Sequence, residues 1–334
     1  MAERRKVIAL FALLIFILLV LPEIYIFPLF LLVIKPVGNK KIDEILAQVD
    51  AINDTYKKLE RIAKLEVKDF KDIYKHPPDS ALDLITYVLS MVCGSNYCRY
   101  PIYFDSGIRV RAADSPLSND PYWIAFFKVG GCSELASLFN EIAKRAGLEV
   151  RVVETRGEDH AWVEVKINGK WVHVDPTLYY INYHFGSNIK WFDNPGFYEL
   201  KWFRISKVFV KNTNEDITEK YTDIGALVVY LTKPADRIAV KTSKNGVERE
   251  AAVIGASSSV LNIKLGGKKY NVTAEKDLVP QLFVLQDTKN VEVIEGKQAT
   301  IRLSPANLEI RPLFYLLMLL IVEIVLILFK NMRK

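Results

Sequence analysis

The sequence predicts an α+β chain: a helix that begins at a cysteine, an antiparallel hairpin after it, a helical stalk before it, a β-sandwich-like domain behind it and an apolar segment at each end. Three observations carry that reading. Between positions 130 and 175 a thiol, an imidazole and a carboxylate fall within one helix, strand and hairpin passage. From 207 to 308 the chain breaks into short Val-, Ile- and Leu-rich runs separated by Asn, Gly and Lys, the spacing of strands in a small sandwich. The two ends hold the apolar excess of a chain that is 50% hydrophobic.

A length of 334 residues exceeds one average domain and accommodates two folded units plus membrane segments. The divisions read along the chain are an N-terminal transmembrane anchor over 1–37, a helical stalk over 38–78, a core domain over 79–205, a β-rich domain over 206–310, and a C-terminal transmembrane helix with a basic tail over 311–334. The formal net charge of +6 is modest and the basic residues are mixed with 39 acidic ones, which argues against nucleic acid as a partner. Three cysteines are too few for a disulfide scaffold. Cys93 and Cys98 are a candidate disulfide or two ordinary buried thiols, because spacing alone does not set geometry; pairing them leaves Cys132 over.

The first element is apolar over 7–21 and again over 24–34, with Pro22 and Glu23 between. A bilayer core calls for about 20 apolar residues in a helix, so the two runs together form one long, kinked spanning segment. Arg4, Arg5 and Lys6 also suit a signal peptide, but no small-residue cleavage site follows, which favours an uncleaved anchor. At the other end 313–329 is apolar apart from Glu323, and Lys330, Arg333 and Lys334 follow. Basic residues at both termini predict a two-pass cell-membrane protein, both termini cytoplasmic and the main domains outside. The sequons at Asn53 and Asn271 suit that placement. Glu23 and Glu323 read as protonated carboxyls bonding between helices, or Glu23 as marking a break at Pro22, rather than as a proton path.

Next, Ile42, Ile45, Leu46, Val49, Ile52, Tyr56, Leu59, Ile62 and Leu65 recur at steps of three and four and predict one helical face over 42–65. Pro77 and Pro78 end the stalk, and Asp79 and Ser80 cap a further helix over 81–92. The stretch 100–129 reads as irregular, and the aromatic run after Asp175, up to Trp202, reads as core closure.

Leu135, Leu138, Phe139 and Ile142 lie at helical spacing over 133–146, so Cys132 stands at the helix start. First-turn N–H groups and the helix dipole favour a thiolate there and can hold a developing oxyanion. Gly130 and Gly131 allow a sharp turn and room for a substrate. Asn168-Gly169 predicts a two-residue hairpin joining 160–167 to 171–175. In that register Ile167 faces Lys170, Trp162 faces Asp175 and His160 faces Thr177, which puts His160 and Asp175 diagonally adjacent, about 7–8 Å apart at the backbone. A thiol, a base and an orienting carboxylate are the parts of nucleophilic acyl transfer. Glu164, Lys166 and His173 share the His160 face, so that face is expected to be a cleft or partly solvated.

The blocks Gly-Gly-Cys-Ser-Glu-Leu-Ala from Gly130, His-Ala-Trp-Val-Glu-Val from His160 and Val-Asp-Pro-Thr from Val174 resemble, in order and spacing, the signature blocks of the transglutaminase-like superfamily. The resemblance covers roughly 80–180. It implies a papain-like core in which the cysteine helix packs on an antiparallel sheet. It also implies Cys132 as nucleophile, His160 as base and acid, and Asp175 as orienting group. No clear side-chain oxyanion donor is present; Tyr122, Trp123 and Trp162 are the oxyanion or cleft candidates. The expected activity is on amide bonds of peptides or proteins through a thioester, more hydrolytic than cross-linking, with no cofactor. The alternative is an inactive transglutaminase-like module that binds partners at the membrane surface. A zinc site of Cys132, His160 and His173 has suitable ligand types but no supporting spacing. Oligomeric state is not legible.

Overall fold

The computed structural model describes residues 30–72, 120–199, 204–244, 247–279 and 282–311, together with 314, 315, 318, 321 and 322. The described residues divide into two compact units: those up to 153 with 161–194, and 154–160 with those from 195 onward.

In the first unit a π-helical turn, Phe30–Ile34, leads into α1 (Lys35–Leu46), followed by α2 (Thr55–Val67). The single helix expected over 42–65 is therefore two. Asp54 makes the break by accepting the Lys57 N–H at 2.8 Å as the N-cap of α2, a role its place in a sequon conceals. Ile42, Val49, Leu59 and Ile62 are fully buried, Ile52 and Leu65 half-buried and Tyr56 43% exposed, so the periodic pattern located most of the buried face and misread its continuity. The stretch expected to be irregular contains α3 (Pro121–Phe127), capped by Asp120, whose Oδ1 accepts from the Tyr122 and Trp123 N–H groups at 2.9 and 3.1 Å. Pro121 suits the first helical position, where no N–H is needed. Helices α1 and α3 approach so closely that a Cβ at Gly38 would stand 2.0 Å from the Tyr122 carbonyl oxygen.

Strand β1 (Lys71–Asp72) runs parallel to β2 (Val129–Gly130), which delivers the chain to α4 (Cys132–Arg145). Leu135, Leu138, Phe139 and Ile142 on α4 are at most 1% exposed. Each such burial stabilises by about 1.5–3 kcal/mol. Strands β3 (Val150–Thr155), β4 (His160–Ile167) and β5 (Lys170–Val174) follow, with β4 between the other two. Positive φ at Asn168 (51°) and Gly169 (78°) makes the expected tight turn, and the register runs from Ile167↔Lys170 to Val163↔Val174 as predicted.

Past that pair the prediction fails. Asp175 leaves the strand and caps α5 (Pro176–Phe185) instead of facing Trp162, and Thr177 becomes helical instead of facing His160. The physical cause is Pro176, which lacks an N–H for the ladder and has φ preset for a helix start.

In the second unit β6 (Phe209–Val210) precedes two sheets. Strands β7 (Ile224–Leu231), β10 (Val260–Gly266) and β13 (Gln298–Leu303) form one, in the order β10-β7-β13. The other runs β14-β12-β11-β8-β9, from β8 (Arg237–Lys244), β9 (Val247–Gly255), β11 (Lys269–Val279), β12 (Phe283–Glu292) and β14 (Asn307–Ile310). Leu227, Val229, Ile263 and Leu265 from the first sheet share a core with Ile238, Val240, Tyr270 and Val272 from the second. That is a sandwich.

Among the described residues no helix is long and apolar enough to cross a membrane. Most of both expected anchors, Glu23, Glu323, the helix expected over 81–92 and the Cys93/Cys98 pair lie outside the described residues.

Candidate active site

Cys132 is the first residue of α4, partly exposed and not in a disulfide. Gly131 is the N-cap, and Glu134, one turn in, folds back so that its Oε2 accepts the Gly131 N–H at 2.9 Å. A carboxylate in the first turn is favoured by the helix dipole. The room expected beside Gly130 for a substrate is taken by this side chain: a Cβ at Gly130 would lie 2.5 Å from Glu134 Cβ. The glycine serves close packing behind the nucleophile.

Four residues upstream Lys128 adopts φ 56° at the end of α3, and its carbonyl accepts the Lys71 N–H at 2.8 Å. Its Nζ donates to the Glu66 backbone oxygen at 3.4 Å. The Glu66 side chain is fully buried at the end of α2. Burial pushes its carboxyl well above the usual range, against the pull of Lys128 and of the Phe139 N–H. Burial likewise lowers Lys128, with Glu66 and Asp69 opposing. An acid and a base thus sit desolvated beneath the turn that leads to Cys132.

Asp175 is completely buried, and its Oδ1 accepts from the Thr177 and Leu178 N–H groups at 2.8 and 3.2 Å. Its own N–H donates to the Trp191 carbonyl at 2.8 Å, so backbone and carboxylate are both held. On β4, Val163 and Val165 fill one face and Trp162 and Glu164 the other, and all four are 0% exposed. The face expected to be solvated is closed at these positions. Glu164 survives there because Arg151 pairs with it at 2.7 Å while the guanidinium stacks 4.3 Å from the Trp171 ring centre. His173, opposite Glu164, is buried too, and its Nδ1 accepts the Asn194 N–H at 3.4 Å.

His160 opens β4 and is partly exposed. It belongs with 154–160 to the second unit, whereas Cys132 and Asp175 belong to the first. Just before it, buried Glu158 receives Thr155 Oγ1, the Ser206 N–H at 3.0 Å, Ser206 Oγ at 2.9 Å and Lys268 Nζ at 2.8 Å. Sequence reasoning missed this cluster, because Lys268 stands 110 positions from Glu158 and no local pattern announces the pairing.

The Tyr122 hydroxyl donates to Glu141 Oε1 at 3.4 Å. Glu141 stands nine residues along α4 from Cys132, about 13 Å at the rise of an α-helix. Trp123 is 4% exposed and packs 4.6 Å from the Phe127 ring, and Trp162 lies 6.1 Å from the His173 ring. Among the described residues no group of three or more His, Cys, Asp or Glu side chains is placed to hold a metal ion.

Residues 92–176 match the family model of the Transglutaminase-like superfamily. The chain is 31% identical over 136 residues to the peptide-N(4)-(N-acetyl-beta-glucosaminyl)asparagine amidase of Eremothecium gossypii, covering 35% of each protein. To the same-named protein of Saccharomyces cerevisiae it is 34% identical over 111 residues, covering 32% of this chain and 27% of that one. To that of Oryza sativa subsp. japonica it is 33% identical over 89 residues, covering 26% and 17%. The chain therefore spans 35% or less of the length of these relatives. The similarity to the Transglutaminase-like superfamily thus lies in residues 92–176, and that to the amidase relatives covers 35% or less of this chain.

Proposed function

We propose that this chain is a membrane-anchored cysteine amidase that hydrolyses amide bonds of peptides or proteins through a thioester on Cys132. The observation that carries the reading is Cys132 at the first position of a buried core helix, inside the stretch that matches the superfamily. His160 takes the thiol proton as the sulfur attacks the amide carbon, and first-turn N–H groups of α4 receive the oxyanion. Collapse breaks the C–N bond, and the imidazolium protonates the departing nitrogen. Water, deprotonated by His160, then cleaves the thioester and restores the thiol. Asp175 orients the imidazole through both steps. The amidase names of the relatives make a glycosylated asparagine side chain the first substrate to test, with plain peptide amides beside it.

Anchoring through the apolar ends, both termini cytoplasmic, belongs to the same proposal. Its support is the exposure of Leu31, Leu32 and Val33 at 44, 78 and 46%, where the first run ends, and of Tyr315 and Ile321 at 56 and 51% in the second. Three experiments test the proposal. A synthetic glycopeptide and its sugar-free counterpart, incubated with the full chain, should be cleaved at an amide, and Cys132→Ala should abolish cleavage. If Cys132 alkylates no faster than a free peptide cysteine at every pH, and His160→Ala changes nothing, the chain is a binding module. For topology, a membrane-impermeant thiol reagent on intact cells should label cysteines engineered at 210–300; protection of all of them would refute the outward placement.

A further inference from the structure

The five residues that precede His160 are each secured within the β-rich unit. Thr155 donates to Glu158, and Arg156 donates to Asn214 at 2.9 Å while lying 5.2 Å from the Phe209 ring centre. Gly157 has no room for a side chain: a Cβ there would stand 2.4 Å from Ser206 Oγ and 2.8 Å from Thr242 Cγ2. Glu158, 2% exposed, binds Ser206 twice and Lys268 once, and Lys268 in turn donates to the Arg204 carbonyl at 2.8 Å. Asp159 pairs with Arg249 at 2.9 Å and holds φ at 54°.

Two physical points give this arrangement meaning. Burying a carboxylate costs several kcal/mol unless donors and a cation surround it, and an apolar residue would fill the same space without that cost. A left-handed residue outside glycine costs about 1 kcal/mol and persists only where its surroundings determine it. Both features stand immediately before the residue proposed as the base, and loop closure alone requires neither.

We propose that Glu158, with Ser206 and Lys268, is the positioning group for His160. This rests on the reading of His160 as the base for Cys132. The test is the iodoacetamide alkylation rate of Cys132 in the full chain, followed by peptide mass spectrometry from mildly acidic to mildly alkaline pH, with circular dichroism to monitor folding. His160→Ala should slow alkylation below neutral pH about tenfold, because the thiolate loses its partner. Lys268→Met should slow it about threefold and change the pH profile in the same direction, and Lys268→Arg should restore most of the rate, since it keeps the cation on Glu158. Ser206→Ala removes one hydroxyl and leaves the ion pair, so it reads the effect in a folded protein and should fall between Lys268→Met and wild type. Slowing by His160→Ala, with folded Lys268→Met and Ser206→Ala both at the wild-type rate, overturns the inference and leaves the base reading standing. No effect of His160→Ala overturns the base reading itself.

Discussion

Glu134 Oε2 accepts the backbone N–H of Gly131 at 2.9 Å, one residue before Cys132, and its methylenes fill the space where a Gly130 side chain would go. The turn that presents the thiol is therefore locked by a side chain of the helix it opens. Gly130→Ala should displace Glu134, lower unfolding free energy by about 1–2 kcal/mol and slow Cys132 alkylation, as read by urea denaturation and by mass spectrometry. Glu134→Gln keeps an acceptor for the Gly131 N–H and should lie within about 0.5 kcal/mol of wild type.

Asp175 caps α5, and the proposed triad gives it a second role that substitution separates from the first. As N-cap of α5 it needs only an acceptor, and asparagine caps as well as aspartate. As orienting group for His160 it needs its charge. Asp175→Asn should melt within a few degrees of wild type yet lose about 10²–10⁴-fold in amide hydrolysis, and Asp175→Ala should also lose about 1–2 kcal/mol of stability. A fully active Asp175→Asn would confine the residue to capping.

Arg151 and Glu164 form a pair whose carboxylate side is fully buried. Removing the cation alone leaves that charge uncompensated, so Arg151→Ala should destabilise by about 3–5 kcal/mol. Replacing both, as Arg151→Met with Glu164→Leu, should recover to within about 1 kcal/mol of wild type in the same denaturation assay.

Glu66 makes stability depend on pH in a definite direction. Its folded carboxyl is raised by burial, so between the ordinary carboxylate range and that raised value the folded chain binds more protons than the unfolded one. Stability from this group is complete below the ordinary range and is lost as pH rises through the raised value. Glu66→Gln abolishes the term. The melting temperature of the variant relative to wild type should therefore climb steadily from acidic to neutral pH; a constant or falling difference would contradict a protonated Glu66.

The features legible in the sequence are local ones. The buried face of α4, the Asn168-Gly169 turn and the hairpin register down to Val163↔Val174 each follow from residues within one or two turns of one another, and each was legible. The register loses its meaning at Pro176, because a ladder extrapolation assumes that every residue can donate, whereas this proline starts a helix. The break at Asp54 escaped for a related reason: apolar periodicity records which face is buried and carries straight through a turn that preserves the face. Tertiary structure alone decided that Glu134 closes the space at Gly130, that Arg151 neutralises Glu164 inside the sheet, and that the residues before His160 belong with the β-rich unit through Ser206 and Lys268. The last of these joins positions 48 and 110 residues apart. Such pairings exist because burial demands partners for every polar group, whichever part of the chain supplies them.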